Sequence, residues 1–177
     1  HGNEGLLVPG SVQWMTAGRG LVHSEMPEQE EGRMRGFQLW VNLPARLKMT
    51  EPRYQEFAPE KIPVVRPADG VEVKVVAGRV GDVQGPIDQP ATEPVYLDVS
   101  LSAGAAWEHV LPEGHNAFAC VFEGRVSVGA GGQGRELAAP TLAVLDGGPA
   151  VRLQATAAEP ARVLLVAGRP IGEPVAR

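Results

Sequence analysis

Residues 116–129, NAFACVFEGRVSVG, decide the fold class of this 177-residue chain. Their first half contains AFACVF (117–122), a continuous apolar run typical of a buried strand, and in the second half Val126 and Val128 alternate with other residues. Glu123–Gly124 separates the two halves, and a glycine after an acidic residue between such runs favours a tight hairpin. The stretch therefore predicts two strands joined by a short turn.

The same rhythm recurs along the whole chain. The 22 glycines and 16 prolines are spread from end to end and separate short apolar or β-branched runs. Some runs alternate with period two, as in Val71, Val73 and Val75, and no segment sustains an apolar stripe of period 3.6. The other runs are GLLVPGSVQWM, RGLVHSEM, RGFQLWVNLP, PVYLDVSL, PTLAVLDGG, AVRLQA and ARVLLVAG. We expect an all-β protein.

Two segments break this rhythm. Residues 27–36, PEQEEGRMRG, are charged and are interpreted as a solvated loop. Residues 43–70 are rich in proline and charge, which indicates a connection between domains with one helical turn. We place a domain boundary near residue 57, a linker over 58–70, and a second domain with an exposed tail over 71–177.

Composition and charge argue against several classes of function. The net charge is −5 and lysine and arginine form no cluster, so direct binding to nucleic acid is not expected. No apolar run is long enough to span a membrane. The single cysteine, Cys120, cannot form an internal disulfide, and its apolar setting predicts a buried thiol in a reducing, cytoplasmic location. The sequence contains no Walker loop, nucleotide-binding glycine pattern or nucleophile elbow.

The stretch GLVHSEMPE (20–28) puts His23 and Glu25 two positions apart. On a strand, such residues lie on one face, so an imidazole nitrogen and a carboxylate oxygen converge. A mixed pair of this kind suits Fe(II), Mn, Co, Ni or Cu. Taken alone, however, the two residues are better interpreted as a minor ion pair on a solvated strand face.

The surrounding sequence favours the metal. TAGRGLVHSE (16–25) contains G-x-G-x-x-H, close to the second motif of cupins, P-x-G-x-x-H, with Gly18 at the position of the proline. The stretches PGSVQWMTAGRGLVHSEMPE, GRMRGFQLWVNLP and KMTEPRYQEF resemble the pirin family of bicupins almost continuously over residues 9–57. LPEGHNAF and LLVAGRPIGEPVA follow the same family pattern, so the resemblance covers nearly the whole chain.

The resemblance implies two stacked cupin β-barrels. It also implies one mononuclear metal in the N-terminal barrel, Fe(II) or another divalent transition metal (Ni, Mn, Co, Cu or Zn), bound by three histidines and a glutamate. His23 matches the third histidine and Glu25 the carboxylate. The other two histidines precede a G-N-x-G turn in the family, and this sequence begins at that turn. We therefore expect residues 1–57 to form an incomplete N-terminal barrel that carries half of the metal site.

Three other histidines are candidates to replace the two upstream histidine ligands that the resemblance implies. They are His1, His109 and His115. His1 stands beside Gly2–Asn3 and is interpreted as a turn residue. In the second barrel, counting back from the Glu123–Gly124 turn places the three ligand positions at Val110, Pro112 and Asn116. His109 is one residue out of that register and is predicted to lie on the opposite strand face. The second barrel is therefore expected to bind no metal.

Several aromatic and polar residues near the predicted site have two explanations. Trp14, Phe37 and Trp40 could line a pocket for a flat aromatic substrate, but core packing is the preferred explanation for each. Gln38 is equally compatible with a hydrogen bond to a ligand and one to the backbone. Trp107 is expected to cover the second barrel.

The resemblance implies a dioxygenase of the quercetin 2,3-dioxygenase type, which opens a flavonol ring with O₂. Glu25 is then the catalytic residue that accepts the proton of the substrate hydroxyl, and the partner is a small aromatic molecule such as a flavonol. The alternative is a non-enzymatic regulator that binds a transcription factor or metabolic enzyme in response to the metal's redox state. A third possibility is a cupin linked to redox stress whose ligand is unknown.

Overall fold

A computed structural model describes residues 5–28, 31–130 and 133–175 of the chain. These residues contain two 3₁₀ turns, Ala45–Leu47 and Pro59–Lys61, and no α-helix, which confirms the all-β prediction. No helix among them is long and apolar enough to cross a membrane. The strands are β1 (Val12–Thr16), β2 (Arg53–Phe57), β3 (Val64–Ala68), β4 (Val71–Ala77), β5 (Arg79–Val80), β6 (Val83–Gln84), β7 (Val95–Leu101), β8 (Ala106–Val110), β9 (Asn116–Glu123), β10 (Arg125–Gly129), β11 (Arg135–Ala138), β12 (Thr141–Leu145), β13 (Ala150–Ala155) and β14 (Ala161–Gly168).

Two antiparallel sheets form the second barrel. The larger has six strands in the order β12-β9-β14-β7-β4-β3, and the smaller has four in the order β11-β10-β13-β8. Their inner faces share one hydrophobic core, in which Leu97, Val126, Leu153 and Leu165 are fully buried. The predicted alternation holds in β4, where Val71, Val73 and Val75 point inward. Burying these β-branched and leucine side chains stabilises the fold by about 1.5–3 kcal/mol each.

The predicted hairpin at Glu123–Gly124 is wrong, although both of its strands exist. β9 pairs with β12 and β14 in the larger sheet, whereas β10 pairs with β11 and β13 in the smaller one. The chain therefore crosses from one sheet to the other at Gly124, which has a φ of +69°. One residue in this conformation can bend the chain sharply at a barrel corner. It cannot reverse the chain so that β10 runs beside β9.

The first part of the chain contributes less regular structure than predicted. Its described residues form one two-stranded ladder, β1 with β2, so the first barrel is incomplete. The runs RGLVHSEM (19–26) and RGFQLWVNLP (35–44) predict strands, but no strand is present there. Conversely, the charged segment 43–70 contains both 3₁₀ turns and the strands β2 and β3, and β3 pairs with β4 of the larger sheet. The boundary near residue 57 stays a prediction.

The first part of the chain packs on the outer face of the larger sheet. Trp14 and Phe57, from β1 and β2, lie against a small buried cluster that includes Ile62, Val76 and Ile87. Further along the chain, Phe37 contacts Phe122 of β9. The candidate site thus lies in the segment that follows β1, and the β1–β2 ladder rests on the second barrel.

Candidate metal centre

The turn before His23 is built around Gly18. After β1 ends, the Arg19 amide donates a hydrogen bond to the Thr50 carbonyl (2.9 Å), and the Gly20 amide donates to the Ala17 carbonyl (3.0 Å). Gly18 has a φ of +51°, and a Cβ at this position would lie 2.1 Å from the Thr50 carbonyl oxygen. Only glycine fits both the conformation and the space. The glycine of the G-x-G-x-x-H motif therefore fixes the path of the chain into residues 20–28.

His23 and Glu25 face each other, although not on a strand. The His23 Nε2 atom is 3.6 Å from Glu25 Oε1, and the two side chains are 46% and 60% exposed. The prediction that a strand places both on one face is wrong, since residues 20–28 belong to no ladder. The two side chains nevertheless approach each other, without the strand that was predicted to bring them together.

The separation of the two atoms fits a metal chelate. Metal–ligand bonds of about 2.1 Å place adjacent ligand atoms roughly 3.0–3.4 Å apart, so a small side-chain rotation suffices. Within residues 5–28, 31–130 and 133–175 no group of three or more histidine, cysteine, aspartate or glutamate side chains could hold a metal ion. His23 and Glu25 therefore fit two positions of a metal's coordination shell and do not complete it.

One residue that the sequence did not single out, Tyr54, lies within electrostatic reach of Glu25. Tyr54 and Glu56 share one face of β2, and burial, followed by the negative charges of Glu56 and Glu25, raises the pKa of the Tyr54 hydroxyl. An unperturbed phenol is already protonated at neutral pH, so the Tyr54 hydroxyl is a hydrogen-bond donor there. Alternation of Tyr54 and Glu56 in RYQEF was the available signal, but the proline and charge around it concealed the strand.

The aromatic residues expected near the site differ in their burial and in their contacts. Trp14 is half-buried and packs as predicted, whereas Trp40 is 88% exposed and packs in no core. Phe37 lies against Phe122 on the second barrel. The Gln38 Oε1 atom accepts a hydrogen bond from Trp40 Nε1 (3.4 Å), a side-chain partner that the sequence did not predict. The structure thus provides no aromatic pocket from these residues around His23 and Glu25.

The second barrel corrects two further predictions, on His109 and on Cys120. His109 is buried and faces the barrel interior beside Trp107, while Val110 is 71% exposed, so the predicted register at this strand was wrong by one residue. His115 lies at the rim, where its Nε2 is 2.9 Å from the Glu93 carbonyl oxygen. Cys120 is only half-buried, because it lies on the outer face of β9. His1 lies outside the described residues.

Two clefts of about 820 and 770 Å³ lie at the second barrel. The first is lined by the β3–β4 turn and the start of β14, and the second by β5, β8 and residues 87–95. Neither is lined by His23 or Glu25. The candidate metal centre is therefore an exposed pair on the first part of the chain.

Two packed antiparallel sheets around one core, preceded by a two-stranded ladder and a segment with a histidine–glutamate pair, define a cupin-type protein. Residues 96–177 match the family model of the pirin C-terminal cupin domain, and residues 1–41 match the model of pirin. The chain belongs to the pirin family.

Relatives with known sequences and structures agree with this assignment. The chain is 51% identical to a pirin-like protein from Caulobacter vibrioides, with 98% of this chain and 61% of the relative covered. It is 38% identical to pirin from Homo sapiens, with 98% and 59% covered. A solved quercetin 2,3-dioxygenase from Acinetobacter baumannii superposes with a TM-score of 0.83 at 32% identity, covering 95% of this chain and 58% of that one. The chain thus spans about three-fifths of the length of these relatives.

Proposed function

We propose that this protein is a metal-dependent dioxygenase of the quercetin 2,3-dioxygenase type, with His23 and Glu25 as metal ligands. The observation that carries the proposal is the approach of His23 Nε2 to Glu25 Oε1 within 3.6 Å on an exposed surface. The structural neighbour named a quercetin 2,3-dioxygenase supports the choice of substrate class. A flavonol is therefore the proposed substrate, and a cytoplasmic location is part of the same proposal.

The two side chains have different roles in this proposal. The neutral His23 imidazole would bind Fe(II) or another divalent transition metal through a ring nitrogen, and the Glu25 carboxylate would bind through an oxygen. A bound metal supplies Lewis acidity toward the flavonol hydroxyl and access to O₂. Glu25 accepts the hydroxyl proton, which converts the substrate to an electron-rich anion. Its high exposure leaves the carboxylate free to move between ligation and proton transfer.

The test is aerobic turnover by the gene product at its natural length, loaded with Fe(II). Loss of the quercetin absorbance is followed for the wild type, His23→Ala and Glu25→Gln, with Glu28→Gln as a control carboxylate on the same segment. We expect His23→Ala and Glu25→Gln to lower the rate by roughly 10²-fold or more, and Glu28→Gln to leave it unchanged. Equal, slow rates for the wild type and His23→Ala would refute the dioxygenase.

Metal binding is measured separately by calorimetric titration with Ni(II). If His23→Ala weakens binding while no protein consumes quercetin, His23 is a metal ligand in a protein without this activity. That outcome would favour the alternative, a metal-dependent regulator that binds another protein. If neither variant changes Ni(II) binding, the metal centre itself is refuted.

A further inference from the structure

The 770 Å³ cleft of the second barrel opens where β8 meets the segment 78–95. Its wall is largely apolar and includes Val80, Val95, Trp107 and Leu111. Pockets of roughly 300–1,000 Å³ hold small organic molecules when a few polar groups converge in an apolar wall. The cleft therefore has the size and lining of a ligand site.

His109 is a buried polar residue among the several polar residues that line this cleft. It is 9% exposed and lines the cleft, and its ring centroid is 5.0 Å from that of Trp107, with 32° between the ring planes. Among the described residues, its ring nitrogens make no hydrogen bond, whereas the nearby His115 Nε2 is 2.9 Å from the Glu93 carbonyl oxygen. These nitrogens are not among the fully enclosed polar atoms that lack a partner, so they are accessible from the cleft, where a ligand hydroxyl can bond one of them.

The charges at the cleft select against anions. Asp88 and Glu108 line it without an ion-pair partner among the described residues, whereas Glu93 is neutralised by Arg169 at 2.7 Å. Arg79 also lines the cleft, and its side chain bonds the uncharged Gln84. Among the described residues, the lining therefore has two unpaired negative charges and one unpaired positive charge, which leaves it net negative. Burial also lowers the pKa of His109, so at neutral pH its ring is uncharged, with one nitrogen that donates and one that accepts.

We propose that this cleft binds a small uncharged molecule that has an aromatic ring and a hydroxyl group. The ring packs against Val80, Val95 and Leu111, and the hydroxyl exchanges a hydrogen bond with His109. The site is distinct from His23 and Glu25, which do not line the cleft. Ligand binding in this cleft and the proposed dioxygenase activity can therefore be confirmed or refuted independently of each other.

The test uses 4-methylphenol as the probe and the imidazole NMR signals of the full chain as the readout. The chain has only four histidines, so the imidazole signals that disappear in a single His109 variant can be assigned to His109. A ligand of this size binds with a Kd on the order of 1 mM, and we expect saturable shifts of the His109 signals in that range. Toluene, which lacks the hydroxyl, should bind about fivefold to tenfold more weakly, because the hydrogen bond is lost. Benzoate should also bind more weakly than 4-methylphenol, because Asp88 and Glu108 repel it.

His109→Phe keeps an aromatic ring and removes both nitrogens. Its affinity for 4-methylphenol, measured by ligand-observed NMR, should fall to that for toluene, whereas the same substitution at His23 should leave the affinity unchanged. Unshifted His109 signals at probe concentrations on the order of 10 mM would overturn the proposal. So would equal wild-type affinities for 4-methylphenol and toluene, a comparison that needs no variant to fold.

Discussion

The ring of Phe37 lies edge-on against that of Phe122, with 4.8 Å between the ring centroids and 64° between the planes. The Arg35 guanidinium lies 5.4 Å from the centroid of the Phe122 ring and forms an ion pair with Glu123. These contacts join a segment without secondary structure to β9 of the second barrel. The exposed ion pair contributes little by itself, so the aromatic contact is the main attachment.

Replacing Phe122 with alanine should loosen this attachment. We expect a loss of about 1–2 kcal/mol in the free energy of unfolding, because an aromatic pair and part of a buried ring are removed. Tryptic cleavage after Arg35 should become faster in limited proteolysis. Leu142→Ala, on the adjacent strand and 54% exposed, is the control and should change neither quantity. Unchanged cleavage in Phe122→Ala would place the attachment elsewhere.

Any side chain at Gly124 is predicted to destabilise the fold through a steric clash, in addition to the cost of its positive φ. A Cβ there would lie 2.2 Å from the Pro160 carbonyl oxygen, whereas a Cβ at Gly114 would meet nothing within 4 Å. Both glycines have a positive φ, +69° and +77°. Gly114→Ala should therefore cost about 1–2 kcal/mol in urea unfolding, and Gly124→Ala at least about 2 kcal/mol more. Equal costs would mean that the corner at Gly124 relaxes without penalty.

The same corner illustrates what the sequence could and could not predict. Apolar alternation located β4, β7, β9, β10, β13 and β14, because each strand buries one face or both in a single core. Pairing was not predictable at Gly124, since a hairpin and a sheet-to-sheet crossing use the same residues. Which of the two is formed depends on later strands, since β9 pairs with β12 and β14 whereas β10 pairs with β11 and β13.

The candidate site was predicted by residue type and family pattern rather than by geometry. His23 and Glu25 do converge, but in a segment outside any ladder, so the predicted strand does not explain their approach. Their role as metal ligands stays a prediction. At β8, a one-residue error in register turned His109 away from the barrel interior. Such errors are inherent in counting from a turn, because each single-residue slip exchanges the two faces of a strand.

His109 should make stability depend on pH in the acid range. Burial lowers its pKa in the folded state, so on acidification the unfolded chain takes up this proton first, from about pH 6.5 downward. Stability is therefore complete above that pH and falls until the pH reaches the lowered folded value. His109→Phe should flatten the pH dependence of the free energy of unfolding in this window, and His23→Phe should retain it. The same slope in His109→Phe as in the wild type would contradict this assignment.

Tyr96 should produce the opposite dependence at high pH. Burial, then the charges of Asp98 and Cys120, raise the pKa of its hydroxyl to about 12. Between about pH 10 and 12 the unfolded chain therefore loses this proton while the folded chain keeps it, so stability falls as pH rises. The expected loss is on the order of 2 kcal/mol. Tyr96→Phe should remove most of this loss in stability, and the smaller remainder would come from Tyr54, whose pKa is also raised.

Phenolate absorbance distinguishes the two tyrosines. In the folded wild type one phenol should ionise near pH 12, and this ionisation should be missing in Tyr96→Phe. Ionisation of both tyrosines near pH 10 would show that Tyr96 is not shielded by the ladder packed over it.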